Sequence, residues 1–169
     1  PLKDTLEDPG WGGTGTEDSI LPNWSAIDQY GEQIDIYEFA NNNFILLDLS
    51  GLWCGYCRYM AGWIDQNENS SEYQTFEDLF GDEEFFTRIP QMVDAGEITW
   101  ITIIDGGSSG PTNPPTESDL QSWWSDYPNP HVPIMLDADH SMQDWINPNG
   151  WPSVTLIGPD RKVLETGSY

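Results

Sequence analysis

The 169-residue sequence predicts an α/β fold, a central mixed β-sheet flanked by helices. Three observations lead there. Two nearly continuous apolar runs of strand length, at residues 44–49 and 98–104, read as central strands covered on both faces. Helical apolar patterns follow them, and strand–helix alternation implies parallel neighbours. Near the end, Gly158-Pro159-Asp160 separates two short apolar segments, which adds an antiparallel hairpin.

Each element has its own signal. Residues 1–22 are rich in Gly, Asp, Glu and Thr without a clear period, and read as an N-terminal arm that lies over the domain or frays. Residues 23–169 then form the domain. Within it, 24–29 reads as a short strand and Tyr30-Gly31-Glu32 as a turn. Asp35 is placed to cap a short helical turn through Ala40. The strand at 44–49 should give way to a helix from about Cys54, because Tyr56, Met60, Trp63 and Ile64 share one stripe. Residues 65–97 hold 10 acids and one base, Arg88, and read as an acidic helical insertion after that helix. Phe76, Phe80, Phe86, Ile89 and Val93 supply its apolar faces. Beyond the strand at 98–104, residues 105–116 form a loop on turn chemistry alone. Thr116 with Asp119 marks a helix start. A short strand at 134–136 precedes a helical turn at 141–146, and strands at 153–157 and 161–164 make the closing hairpin.

Charge excludes some functions. Five Lys and Arg stand against 29 Asp and Glu, a formal net charge of −24. Sequence-independent nucleic-acid binding needs a basic footprint, and anionic lipid repels such a surface. No apolar run approaches the roughly 18 residues of a membrane span. Two cysteines make neither a multi-bridge scaffold nor a four-thiolate zinc site.

The cysteines lie in Trp53-Cys54-Gly55-Tyr56-Cys57, where the first central strand meets its helix. Two cysteines three apart at a helix start share a face and can close a small ring. A bridge over so short a loop removes little unfolded-chain entropy, so it is a poor staple and suits reversible exchange better. Unsatisfied N–H groups and the helix dipole favour a thiolate at Cys54. Two buried bystander cysteines remain a competing reading. A zinc or copper site recruiting Cys54 and Cys57 with His131 or His140 is another. Asp137, Asp139, Ser141 and Asp144 hint at calcium-loop spacing, but no Gly or final Glu completes it, and helix capping suits them better.

The segment 44–58, ending Asp-Leu-Ser-Gly-Leu-Trp-Cys-Gly-Tyr-Cys-Arg, resembles the thioredoxin-like superfamily, and in particular its extracytoplasmic TlpA/redoxin branch. Asp48 matches that family's buried acid six residues before the first cysteine, and Trp53 its preceding Trp. The segment 149–157, Asn-Gly-Trp-Pro-Ser-Val-Thr-Leu-Ile, resembles the family's late strand that opens with a cis-bonded Pro facing the cysteines. The resemblance covers about residues 24–165, closely at these two places and loosely between them.

It implies a thioredoxin-like fold and a thiol–disulfide oxidoreductase reducing protein disulfides. Its redox-active centre is a Cys54–Cys57 disulfide, with no other cofactor. Cys54 is then the exposed thiolate that attacks a substrate disulfide, and Cys57 the resolving thiol. Asp48 exchanges a proton with Cys57 through water. Trp53, Gly55, Tyr56, Trp151 and Pro152 form the substrate-binding surface, the Trp151 backbone pairing with an extended substrate. Implied partners are protein thiols and disulfides and a separate reductant or oxidant protein for recycling. The Gly55-Tyr56 pair also occurs in disulfide isomerases, so isomerase or oxidase activity stands as an alternative. A non-catalytic binding module on the same fold is another.

Three departures accompany the resemblance. Gly62 stands where the family usually has Pro, the insertion is long, and a final helix is missing after the hairpin. The last leaves a sheet face for the arm, the insertion or a second copy to cover, which leaves a homo-oligomer open. Because the chain opens at Pro1 with no basic-then-apolar leader, the expectation is a mature fragment acting outside the cytoplasm. It would be periplasmic or secreted, or membrane-anchored through a removed N-terminus.

Overall fold

The structure, a computed structural model, describes residues 5–40 and 43–168. The first four arm residues and Tyr169 lie outside the described residues. At its centre is β3 (Phe44–Gly51), whose apolar run is buried on both faces as expected. Ile45, Leu47 and Leu49 enter one core layer, while Leu46 packs into the other. Two strands run parallel to it on one side: β4 (Ile98–Gly106) beside β3, then β5 (Ile134–Leu136). On the other side β6 (Ser153–Ile157) runs antiparallel to β3, and β7 (Val163–Ser168) antiparallel to β6. The order is β5-β4-β3-β6-β7, a mixed five-stranded sheet flanked by helices.

One face carries α1 (Gly55–Ile64), α2 (Ser71–Phe80), α3 (Phe85–Asp94) and α4 (Glu117–Asp126). Thr116 and Asp119 close a reciprocal capping box at the start of α4, as the sequence indicates. The acidic segment 65–97 is held by its aromatics. Trp63 of α1 stacks on Phe76 at 4.8 Å, and its indole N–H donates to the Phe86 carbonyl at 2.7 Å. Gly62 permits this docking. A Cβ there would stand 2.6 Å from Glu72 Cβ and 3.0 Å from Tyr73 N, so α2 presses on α1 where only hydrogen fits.

The opposite face is covered by α5 (Ser141–Ile146) and N-terminal chain. Gly15 N–H donates to the Trp145 carbonyl at 2.6 Å and Leu21 N–H to the Arg161 carbonyl at 2.8 Å, and Leu21 is fully buried. Arg161 lies 4.8 Å over the Tyr37 ring and donates to both the Tyr37 hydroxyl and the Glu7 carbonyl at 2.7 Å.

Three sequence expectations are corrected. The strand expected over 24–29 is β1 (Ser25–Ile27) alone, and it pairs with an unanticipated β2 (Gln33–Asp35). Three residues are too few for alternation to register. The strand at 98–104 continues through Asp105 and Gly106, because Gly106 still pairs with Gly51; the loop therefore begins two residues later. The hairpin's second strand is β7, longer and later than 161–164, because its pairing with β6 runs through Ser153↔Ser168. The helical turn expected through Ala40 is present over Ile36–Glu38 and ends two residues sooner, Asp35 and Glu38 closing a capping box.

Candidate active site

The parallel strands β3 and β4 end together, at Gly51 and Gly106. Here the chain must turn from β3 into α1, and the cysteines sit on that turn. Cys54 is the N-cap of α1, and its sulfur accepts the Cys57 N–H at 3.1 Å. The two are joined as a disulfide, with Cα atoms 5.3 Å apart. Cys57 is fully buried, and Cys54, expected to be exposed, is only 5 % exposed, because Trp53 and Trp151 pack against the cysteine cluster. Their cluster includes Ile104, Leu120 and Trp123, with Trp53 and Trp151 packed against it.

Pro152 directly precedes β6, and the Trp151–Pro152 peptide bond is cis. Trp151 meets Trp53 edge to face, ring centroids 5.5 Å apart. Pro152 and Tyr56 meet along an apolar groove of about 470 Å³ with Met60, Trp63 and Phe80. The Tyr56 ring is half exposed, with its edge against Tyr59. Of the residues the resemblance implies, Trp53 and Trp151 pack against the cysteine cluster, Pro152 and Tyr56 line one groove, and Gly55 is the first helical residue. Gly55 has open space, the Tyr59 hydroxyl standing 4.0 Å from a hypothetical Cβ.

Asp48 sits on β3 opposite Thr102, on the face that carries α1. It accepts from the Ser50 hydroxyl at 2.7 Å and the Thr102 hydroxyl at 3.3 Å. Burial away from water pushes its carboxyl up to about 7, against the opposing pull of those hydrogen bonds. An acid with that value can take or give a proton near neutrality.

A second buried acid escaped the sequence reading. Asp105, fully buried at the end of β4, accepts the Trp151 indole N–H at 3.0 Å and faces His140 Nδ1 at 2.9 Å. Burial raises its pKa, while the His140 and Trp151 hydrogen bonds lower it. The available signal was its likeness to Asp48, a lone acid ending an apolar strand. The turn chemistry of residues 105–116 masks it. Asp137 follows β5 in the same way. It accepts the Gln143 and Met142 N–H groups at 2.9 and 3.2 Å, so it caps α5 instead of binding calcium. His140 is thereby committed to Asp105. His131 is exposed, its backbone N–H donating to Asn129 Oδ1. Among the described residues, no three His, Cys, Asp or Glu side chains are grouped to hold a metal ion. Nor is any described helix long and apolar enough to cross a membrane.

No protein-family model matches the chain, and no curated protein does. Solved structures do. The thioredoxin domain of a thiol-disulfide oxidoreductase from Bacteroides vulgatus superimposes with a TM-score of 0.58 at 15% identity, covering 89% of this chain and 87% of that one. The exposed lipoprotein thioredoxin Etrx1 of Streptococcus pneumoniae gives 0.59 at 14% identity, covering 87% and 89%. A secreted disulfide oxidoreductase of Mycobacterium tuberculosis, homologous to E. coli DsbE, gives 0.58 at 14%, covering 86% and 83%. Identities this low speak for architecture alone, and what they establish is that this chain has the thioredoxin-like fold.

Proposed function

We propose that the protein is a thiol–disulfide oxidoreductase that reduces protein disulfides outside the cytoplasm. The observation carrying this reading is the Cys54–Cys57 disulfide at the first turn of α1, enclosed by Trp53 and Trp151. In the reduced enzyme, the Cys54 thiolate attacks one sulfur of a substrate disulfide. A mixed disulfide forms and the other substrate sulfur leaves as a thiolate. Cys57, deprotonated through Asp48 and water, then attacks the Cys54 sulfur. The second substrate thiolate departs and the Cys54–Cys57 bond closes. Two electrons pass from the dithiol to the substrate, and the two dithiol protons go to the product thiols. A separate dithiol protein must reduce the pair again.

Several features support the substrate side. Trp53, Gly55, Tyr56, Trp151 and Pro152 offer an apolar surface around the reacting sulfur. The net charge of −24 favours neutral or basic protein partners. Placement outside the cytoplasm draws on the fold neighbours, one an exposed lipoprotein and one secreted.

The decisive assay is insulin reduction with a recycling reductant. Wild type should catalyse chain precipitation, and Cys54→Ser should fall to the uncatalysed rate. Equal rates for the two proteins would leave a non-catalytic binding module on this fold.

A further inference from the structure

Cys54 is buried, and one side chain packed against its cluster is fastened from outside the cysteine loop. Trp151 packs against the cysteine cluster and equally against the core on the opposite side of the sheet. Its indole N–H is tied to Asp105 at 3.0 Å. The second Asp105 oxygen lies 2.9 Å from His140 Nδ1. His140 is held in the left-handed region, at φ +59°, directly before α5. Its other ring nitrogen is buried without a hydrogen-bond partner. Such a set of buried polar groups is costly as a mere filler of space. One carboxyl sits at full burial, one histidine has half its capacity satisfied, and an uncommon backbone conformation holds them together.

We propose that Asp105 is a positioning residue for the Cys54–Cys57 pair: it latches Trp151 through the indole N–H, and His140 holds Asp105 in place. The latch keeps Trp151 seated on Trp53 and so limits the approach of a thiol to the disulfide. It deepens the reductase reading and rests on it for its use, but the latch itself can be tested without a protein substrate.

The measurement is the second-order rate at which dithiothreitol opens the Cys54–Cys57 bond, followed by alkylation and mass spectrometry. Asp105→Ala removes the acceptor, and Trp151→Phe keeps a ring but removes the donor. A hydrogen bond worth about 0.5–1.5 kcal/mol sets the scale, so each variant should react about three- to tenfold faster. Combined, they should react no faster than either alone, because both delete one bond. Asp105→Asn, which keeps an oxygen for the indole N–H, should return the rate to within about twofold of wild type. If Asp105→Ala fails to fold, Trp151→Phe and Asp105→Asn carry the test alone. Rates for Asp105→Ala and Trp151→Phe equal to wild type overturn the latch, and so does a double variant showing the product of the single effects. A wild type that reacts with dithiothreitol and shows the latch pattern, yet never reduces insulin, refutes the reductase reading and leaves the latch standing.

Discussion

Trp53 and Trp151 stand edge to face, 5.5 Å between ring centroids, one preceding the first cysteine and the other the cis proline. Two distant stretches of chain meet there because β3 and β6 are antiparallel neighbours. The register Leu49↔Ser153 sets the end of β3 beside the start of β6. The strand pairing thus delivers the proline loop to the cysteine turn. Buried acids lie on both faces of this meeting point. Asp48 shares the α1 face with Leu46, and Asp105 follows Ile101 and Ile103 on the other.

Asp48 should make stability fall as pH rises through neutrality. Its unfolded value is near 3.8 and its folded value about 7, so between them the folded state holds the extra proton. Stability is therefore greatest at the acid side of that window and is lost as the carboxyl ionises in its buried site. The full effect is at most a few kcal/mol. Asp48→Asn should remove the slope, leaving urea midpoints that diverge from wild type between pH 5 and pH 8, the variant being the more stable at the upper end. The same change should slow turnover about a hundredfold, the lower reach of general acid–base assistance. Parallel midpoint curves for the two proteins would dismiss the buried ionisation.

Much of this was legible from the chain itself. Residues 44–49 showed a doubly buried strand because no polar residue but Asp48 interrupts them. The stripe of Tyr56, Met60, Trp63 and Ile64 placed the helix after it. What stayed hidden had no local signature. Asp105 reads as a turn residue beside Gly106 and Gly107; only pairing of β4 with β3 makes it a strand residue. His140 sits in a Asp-Ala-Asp-His run that resembles any polar loop, and only the closure of β5 against β4 brings it to Asp105. Gly62 was visible as a departure, but its reason, the approach of α2, depends on a tertiary contact.

Gly62→Ala should therefore destabilise the protein, although alanine is the better helix former. The new methyl would meet Tyr73 N at 3.0 Å, and backbone cannot rotate aside as a side-chain tip does. Overpacking of this kind costs about 1–3 kcal/mol. A fall in the urea midpoint with an unchanged m-value is the expected result. A gain in stability would mean that α2 does not press on α1 in solution.

Trp63 should be the main anchor of the acidic segment. It stacks on Phe76, touches Phe85, Phe86 and Trp100, and donates its indole N–H to the Phe86 carbonyl. Trp63→Ala should cost about 3–5 kcal/mol. Trp63→Phe, keeping the ring but orphaning that carbonyl, should cost about 1–3 kcal/mol. Hydrogen exchange should show the loss concentrated at 71–94. A uniform loss over the whole sheet would mean that α2 and α3 are not held as a unit by this residue.

Gly106 should be intolerant of any side chain, for a reason tied to the cysteine turn. The Trp53 indole nitrogen lies against the place a Gly106 Cβ would occupy, and the Gly110 carbonyl oxygen lies 3.0 Å from it. Gly51 makes the same room from β3, where a Cβ would stand 2.6 Å from that nitrogen. The two strand ends thus form a floor on which the Trp53 ring rests. A methyl at 106 must lift the ring, and lifting it breaks the edge contact with Trp151, worth about 0.5–1.5 kcal/mol. Gly106→Ala should accordingly do two things at once. It should lower stability by about 1–3 kcal/mol through overpacking. It should also raise the rate at which dithiothreitol reaches the Cys54–Cys57 bond, because the enclosure loses one wall. Loss of stability with an unaltered rate would separate Trp53 from the shielding of the disulfide and leave Trp151 as its tryptophan cover.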